Sequence, residues 1–307
     1  MADRFIRKKF KLKLKRYWEI NFMVKQANDY NTTIRPTWCP GCGNFGIWAA
    51  IKNVLASKNW EGHNYVIVYG VGCSGNMADF IGGYGLHSLH GRSLPNAEGI
   101  KLGNHNLPVI CVAGDGDTYG EAGNHLIHAA RANHDITLIV HDNRIYGLTT
   151  GQASPTSEHG FKAKSTPNGL IEYPVNGLAL AISEGATFVA QGFAGELQHL
   201  TEVIKKAVDH KGFSIVNVFQ PCVTWNKLDT FAYFKEHTYK LEEDKHDRHS
   251  KIKAIELTLD RERLPLGVLY EEERPAYHEQ EASLQEGTLI SRKDYSDSVT
   301  ELFKDFR

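Results

Sequence analysis

The feature that most constrains this chain is a series of short, apolar, β-branched runs at residues 65–69, 108–113, 136–141, 187–190 and 213–219. They are too short for buried helices and lack an apolar–polar alternation, so they read as strands covered on both faces. Segments of helical period lie between them. Ile47, Trp48, Ile51, Val54 and Leu55 share one face over 46–57, with Asn44 ahead as an expected N-cap. Further helices are expected over about 121–132 and 178–184, and from Leu197 through Leu200, Ile204 and Ala207. Strands alternating with helices predict an α/β fold with a doubly wound, mostly parallel sheet.

Three stretches stand outside that rhythm. Residues 75–103 are rich in Gly, His and Asn and read as a long functional loop with one helical turn, and 146–176 as a second long loop. Beyond residue 239 the chain is highly charged, most of all over 242–253, and is expected to form a peripheral tail. The N-terminus carries Arg4, Arg7, Lys8, Lys9, Lys11, Lys13, Lys15 and Arg16 in a basic arm. The expected organisation is an arm over 1–30, a body over 31–238 and a charged C-terminal tail over 239–307. Tyr233 and Phe234 read as packing residues.

Composition narrows the function. With 35 Lys and Arg against 36 Asp and Glu, the chain lacks the basic excess of a nucleic-acid-binding protein. No apolar run approaches bilayer length, so no membrane partner is expected. The five cysteines are odd in number, and no apolar core follows the basic arm as in a secretory signal. A reducing, cytoplasmic setting is expected, with thiols free to bind metal.

Chemistry gathers at the strand ends. Gly114-Asp115-Gly116-Asp117 follows the second run and Asp142-Asn143 the third. In an open α/β sheet both positions face one crevice at the carboxyl edge. Asp115 and Asn143 offer hard oxygen ligands suited to Mg²⁺ or Ca²⁺. Gly114 and Gly116 let backbone approach a diphosphate, toward which a helix starting near Glu121 would point. Cys39 and Cys42 form a Cys-x-x-Cys loop, Cys73 ends the first run and Cys222 follows the last. Four thiolates at one sheet edge suit a [4Fe–4S] cluster or a structural zinc. Cys111, inside a run, reads as a core residue.

The Gly-Asp-Gly and Asn143 spacing resembles the thiamine-diphosphate motif, in which the carbonyl of Ile145 would complete the metal ligands. A wider resemblance spans about 31–280. Trp38–Gly43, Gly70-Val71-Gly72-Cys73-Ser74-Gly75, Gly85–Arg92, Gly114–Asp117, Tyr146-Gly147-Leu148-Thr149-Thr150-Gly151-Gln152 and Pro221-Cys222 occur in order. Together they resemble the β subunit of 2-oxoacid:ferredoxin oxidoreductases, with the thiamine-diphosphate-binding fold. The resemblance implies a [4Fe–4S] cluster on Cys39, Cys42, Cys73 and Cys222. It implies cofactor contacts from Ser74, Gly114, Asp115, Gly116, Asp117, Asn143, Gly147, Leu148 and Thr149, and Mg²⁺ on Asp115, Asn143 and Ile145. His90, Arg92 and Thr150 are its catalytic candidates; Arg92 pairs with an anion or braces its loop. The histidines at 87, 105, 125, 128 and 141 read as structural.

The implied reaction is coenzyme A-dependent oxidative decarboxylation of a 2-oxoacid, with electrons passed to ferredoxin. The resemblance implies that the acid that activates thiamine, and most coenzyme A contacts, come from an α subunit; the length agrees, since it accommodates one large α/β domain and not two. Asn76 and Thr150 are neutral where relatives taking dicarboxylic substrates often carry a base, which points to pyruvate or a broad specificity unless Arg92, Lys101 or the partner supplies charge for 2-oxoglutarate. Gly151–Thr156 resembles the broad 2-oxoacid/2-oxoglutarate branch. The alternatives are a non-redox decarboxylase or carboligase subunit, which leaves the cysteines unexplained, and a non-catalytic electron-transfer module, which leaves Asp115 and Asn143 unexplained.

Overall fold

A computed structural model describes residues 24–292. The basic arm therefore falls, through position 23, outside the described residues, as does the chain beyond 292. The elements in order are α1 (Asn44–Ser57), β1 (Val66–Tyr69), β2 (Tyr84–His87), α2 (Ser93–Gly103), β3 (Val109–Gly114) and α3 (Gly123–Ala132). There follow β4 (Thr137–Asp142), α4 (Gly177–Ser183), β5 (Phe188–Phe193), α5 (Leu197–Asp209) and β6 (Ser214–Phe219). The last are α6 (Phe231–His237), β7 (Thr238–Lys240), α7 (Lys251–Leu259) and β8 (Leu264–Glu271). The strands form one eight-stranded sheet in the order β2-β1-β3-β4-β6-β5-β8-β7. Every pairing is parallel except β5 with β8.

The period of two in each strand divides the core between the two faces. Ile67, Ile110, Val112, Ile139, Val216 and Val218 pack with α1 and α5. Val68, Val109, Cys111, Leu138, Val140 and Ile215 pack with α2, α3, α4 and α7. Each such aliphatic side chain contributes about 1.5–3 kcal/mol by leaving water. The mostly parallel, doubly wound sheet matches the sequence-based expectation, and Cys111 is a core residue with no exposure. Among the described residues no helix is long and apolar enough to cross a membrane.

Three expectations need correction. Residues 75–103 are not a loop: they contain a 3₁₀ turn (Gly75–Asp79), the edge strand β2 and helix α2. The expected peripheral tail instead supplies β7, α7 and β8, and β8 is buried from Leu264 to Tyr270. Asn44 is not an N-cap; it lies inside α1, fully buried, and its Oδ1 meets His141 Nδ1 at 2.7 Å.

Because β1 is flanked by β2 on one side and β3 on the other, successive connections leave it in opposite directions. That reversal opens a crevice at the carboxyl ends of β1 and β3, where open α/β sheets bind ligands.

Candidate functional site

The crevice is built from three strand ends. Gly72 and Cys73 follow β1, Gly114 to Asp117 close β3, and Asn143 to Thr149 follow β4. It is a narrow cleft with a cavity of about 90 Å³. After β3 the chain enters a single π-helical turn, Gly116–Glu121, before α3 begins. The helix expected from about Glu121 thus starts later, and this turn stands between it and the crevice.

Asp115 is almost fully buried. Its Oδ2 accepts hydrogen bonds from Ser154 Oγ and Thr156 Oγ1, both at 2.6 Å. Thr156 Oγ1 also lies 2.9 Å from Asp142 Oδ1, and Asn217 Nδ2 donates to Asp142 Oδ2 at 3.0 Å. Burial first, and then the neighbouring Asp142 carboxylate, push Asp115 up to about 7. Burial also raises Asp142. Two buried carboxylates sharing one hydroxyl form a site whose charge a cation would relieve.

The turn after β4 is held in an uncommon shape. Asn143 Oδ1 accepts from the Ile145 amide at 3.0 Å, and its Nδ2 donates to Gln220 Oε1 at 3.1 Å. Arg144 between them is left-handed, with φ of 54°. The Tyr146 ring lies against Gly116 so closely that a β-carbon there would collide with it. Only glycine fits at 116.

The thiols reach the same place. A β-carbon on Gly147 would lie 3.6 Å from Cys222 Sγ, 3.7 Å from Cys73 Sγ and 3.9 Å from Asn143 Nδ2. Cys42 Sγ is 3.3 Å from Gln220 Nε2, the Gly43 amide donates to Pro221 at 3.1 Å, and Trp38 Nε1 donates to the Cys73 carbonyl at 2.7 Å. The Cys39–Gly43 loop is thereby fastened to both other cysteine segments. Burial, and then the nearby thiols, push Cys42 up to about 12 and Cys73 up to about 11. Among the described residues no three His, Cys, Asp or Glu side chains converge tightly enough to hold one metal ion.

Of the expected site residues, Cys73, Ser74, His90, Gly114, Asp115, Gly116, Asp117, Asn143, Ile145, Gly147, Leu148 and Thr149 line the crevice. Cys39, Cys42 and Cys222 adjoin it through the contacts above. Two expected residues lie outside the crevice lining. Arg92 is exposed outside the crevice, where its guanidinium meets His125 Nε2 at 2.6 Å. Thr150 is exposed outside the crevice lining, in a left-handed conformation with φ of 78°. Lys101 lies at the opposite end of the sheet, paired with Asp135 at 2.6 Å. Asp117 does more than line the cavity: its Oδ1 binds His90 Nδ1 and accepts from the Gly91 amide at 2.8 Å. Arg144, Asn217 and Gln220 were not singled out from the sequence, and Ser154 and Thr156 only as part of the Gly151–Thr156 segment; Asn217, an amide inside a buried strand, was a visible signal.

Comparison with known proteins agrees with this architecture. Residues 70–218 match the family described as thiamine pyrophosphate enzyme, C-terminal TPP binding domain. Residues 222–286 match the family of the C-terminal part of the pyruvate ferredoxin oxidoreductase beta subunit. The chain is similar to 2-oxoacid:ferredoxin oxidoreductase subunit beta of Saccharolobus solfataricus, 44% identical over 259 residues, which cover 79% of this chain and 84% of that one. It is similar to 2-oxoglutarate oxidoreductase subunit KorB of Mycobacterium tuberculosis, 41% identical over 212 residues, 69% of this chain and 57% of that one. Among solved structures it superposes on 2-oxoglutarate:ferredoxin oxidoreductase from Magnetococcus marinus, with 2-oxoglutarate, coenzyme A and succinyl-CoA bound. There the TM-score is 0.85 and the identity 36%, covering 92% of this chain and 96% of that one. Fold, length and sequence agree across these comparisons: the chain belongs to the β subunits of the 2-oxoacid:ferredoxin oxidoreductases.

Proposed function

We propose that this β subunit, with its α partner, oxidatively decarboxylates 2-oxoacids, 2-oxoglutarate among them, to acyl-coenzyme A and passes the electrons to ferredoxin. Mg²⁺ would be held by Asp115, Asn143 and the Ile145 carbonyl, and would carry the diphosphate of thiamine. A [4Fe–4S] cluster would be held by Cys39, Cys42, Cys73 and Cys222. When bound, thiamine diphosphate supplies carbanion stabilisation for decarboxylation, and the cluster supplies a one-electron acceptor.

The residues fit these groups. Ser74 Oγ is buried in the crevice wall with no hydrogen-bond partner among the described residues, as a donor to a diphosphate oxygen would be. Asp115 is a carboxylate whose burial a divalent cation would offset. The four thiols share one neighbourhood, and four cysteine ligands suit a [4Fe–4S] cluster. The chain's own residues then have distinct tasks: Asp115 and Asn143 orient the diphosphate, and Asp117 fixes the ring of His90 at the wall.

The observation that carries this reading is the position of Gly147, where a β-carbon would lie within van der Waals reach of an Asn143 nitrogen and of two cysteine sulfurs at once. That closeness argues against a non-redox carboligase, which has no use for the thiols, and against a bare electron-transfer module, which has no use for Asp115 and Asn143. No Lys or Arg of the described residues lines the crevice, so a cation for a distal carboxylate of the substrate would come from the partner's side.

Anaerobic purification of the αβ complex tests the proposal. Cys73→Ser should lose the cluster's iron and its brown absorption. Asp115→Ala should lose thiamine diphosphate binding yet keep the iron. A complex without iron, or an Asp115→Ala protein that binds the cofactor normally, would overturn it.

A further inference from the structure

Residues Cys222 to Asp229 are cross-braced to the turn that carries Asn143 and Ile145. Asn226, almost fully buried, is the centre of the brace. Its Nδ2 donates to the Asn143 carbonyl at 3.1 Å and to Asp229 Oδ2 at 2.7 Å. Its Oδ1 accepts from the amides of Leu228 and Asp229 at 3.0 and 3.1 Å. Its own amide donates to the Cys222 carbonyl at 3.2 Å. One residue thus ties a cysteine's backbone, an acid and the Asn143 peptide together.

The acid closes a second link. Asp229 Oδ1 pairs with the Arg144 guanidinium at 2.9 Å, and Glu158 lies 3.5 Å from the same group. The guanidinium carbon sits 5.5 Å from the ring centres of both Phe219 and Phe234. Ser157 Oγ donates to the Arg144 carbonyl at 2.7 Å. Arg144 is the left-handed residue between Asn143 and Ile145, a conformation that persists only where surroundings enforce it. A third contact is Trp225, whose ring lies 3.2–3.4 Å from a β-carbon built on Gly151.

We propose that Asn226, Asp229 and Arg144 are positioning residues that couple the two cofactor sites, so that retention of the cluster and binding of the metal–diphosphate each strengthen the other. The inference rests on the functional reading above and adds the linkage. The cysteine loop cannot open at Cys222 without taking a donor from the Asn143 carbonyl and the counter-ion from Arg144. An ordered Asn143–Ile145 turn in return holds the loop shut. Coupling of this kind is reciprocal by thermodynamic necessity and commonly amounts to about fivefold or more.

The αβ complex, purified anaerobically and freed of thiamine diphosphate and Mg²⁺, gives the test. Loss of iron to a ferrous chelator is timed with and without saturating Mg²⁺ and thiamine diphosphate. In the unaltered protein the cofactor should slow iron loss by about fivefold or more. In Asn226→Ala and Asp229→Asn, which should bind iron at the outset, that protection should fall to about twofold or less. Protection equal to the unaltered protein's in both variants, or none in the unaltered protein, overturns the coupling. A complex that never holds iron or never binds the cofactor overturns the functional reading instead. Should neither variant fold, amide exchange over residues 223–230 of the unaltered complex decides. Slowing on addition of Mg²⁺ and thiamine diphosphate supports the brace, and no change overturns it.

Discussion

His90 and Asp117 show how much a short motif conveys about individual side chains. Both lie in segments quoted for cofactor contact, but the structure makes Asp117 the orienting partner of His90, with Nδ1 held and Nε2 left as the ring's other nitrogen. The remaining Asp117 oxygen is buried without a partner among the described residues and packs where a Gly70 side chain would stand. Asp117→Asn should therefore lower turnover by about 10²-fold, the range in which a positioned proton-handling group acts, without loss of thiamine diphosphate binding. Steady-state rates and a binding titration measure both, and a double variant with His90→Ala should be no worse than the worse single one. Fully additive losses would show that the two side chains act apart. Asp115 and Asn143 were legible from the sequence because strand ends in a parallel sheet share one edge. That Arg92 and Thr150 lie outside the crevice lining was not legible, because a linear motif does not encode which way a side chain points from its loop. Arg92 turns to His125, and Thr150 occupies a left-handed rim position.

At the scale of elements, the central strands were legible and the outer ones were not. Strands β1, β3, β4, β5 and β6 are covered on both faces, so their runs are uninterrupted and apolar. Strand β2 is an edge strand, exposed along its length, and Tyr84-Gly85-Leu86-His87 carries no such signal. Strand β8 hides for another reason: Pro265 and Gly267 read as breakers. Here the Pro265 carbonyl accepts from Gln191 Nε2 at 2.8 Å. Gly267 takes a φ of 118°, pairing with Gln191 next to the irregularity between Val189 and Ala190. The charged stretch after 239 thus leads back into the sheet and does not trail away from it. Leu269, with no exposure, packs against the face covered by α3 and α4. Leu269→Ala should cost about 2–5 kcal/mol. Denaturant unfolding followed by circular dichroism would read this, and an unchanged midpoint would return residues 264–271 to the status of a peripheral tail.

For the whole molecule, what covers the crevice is decided by the surface around its mouth. Among the described residues no Lys or Arg lines the crevice, and Leu89, next to the lining residue His90, is 78% exposed, with Tyr84 and Leu86 also in the open on the edge strand β2 that leads to it. Leu148 at the crevice is also half exposed. Apolar groups set together on a rim mark an association surface more often than a solvated one. A β subunit implies an α partner, and that partner is expected to seat here, closing the site and bringing the charge and the activating acid that the rim does not provide. Leu89→Asp tests this without touching the core, since the side chain makes little contact within the chain. Secondary structure and iron content should stay unchanged while affinity for the α subunit, followed by sedimentation, falls by about tenfold or more. Turnover at limiting α subunit should fall with it and recover when α is raised to saturation. An unchanged affinity would place the partner on another face and leave these leucines unexplained.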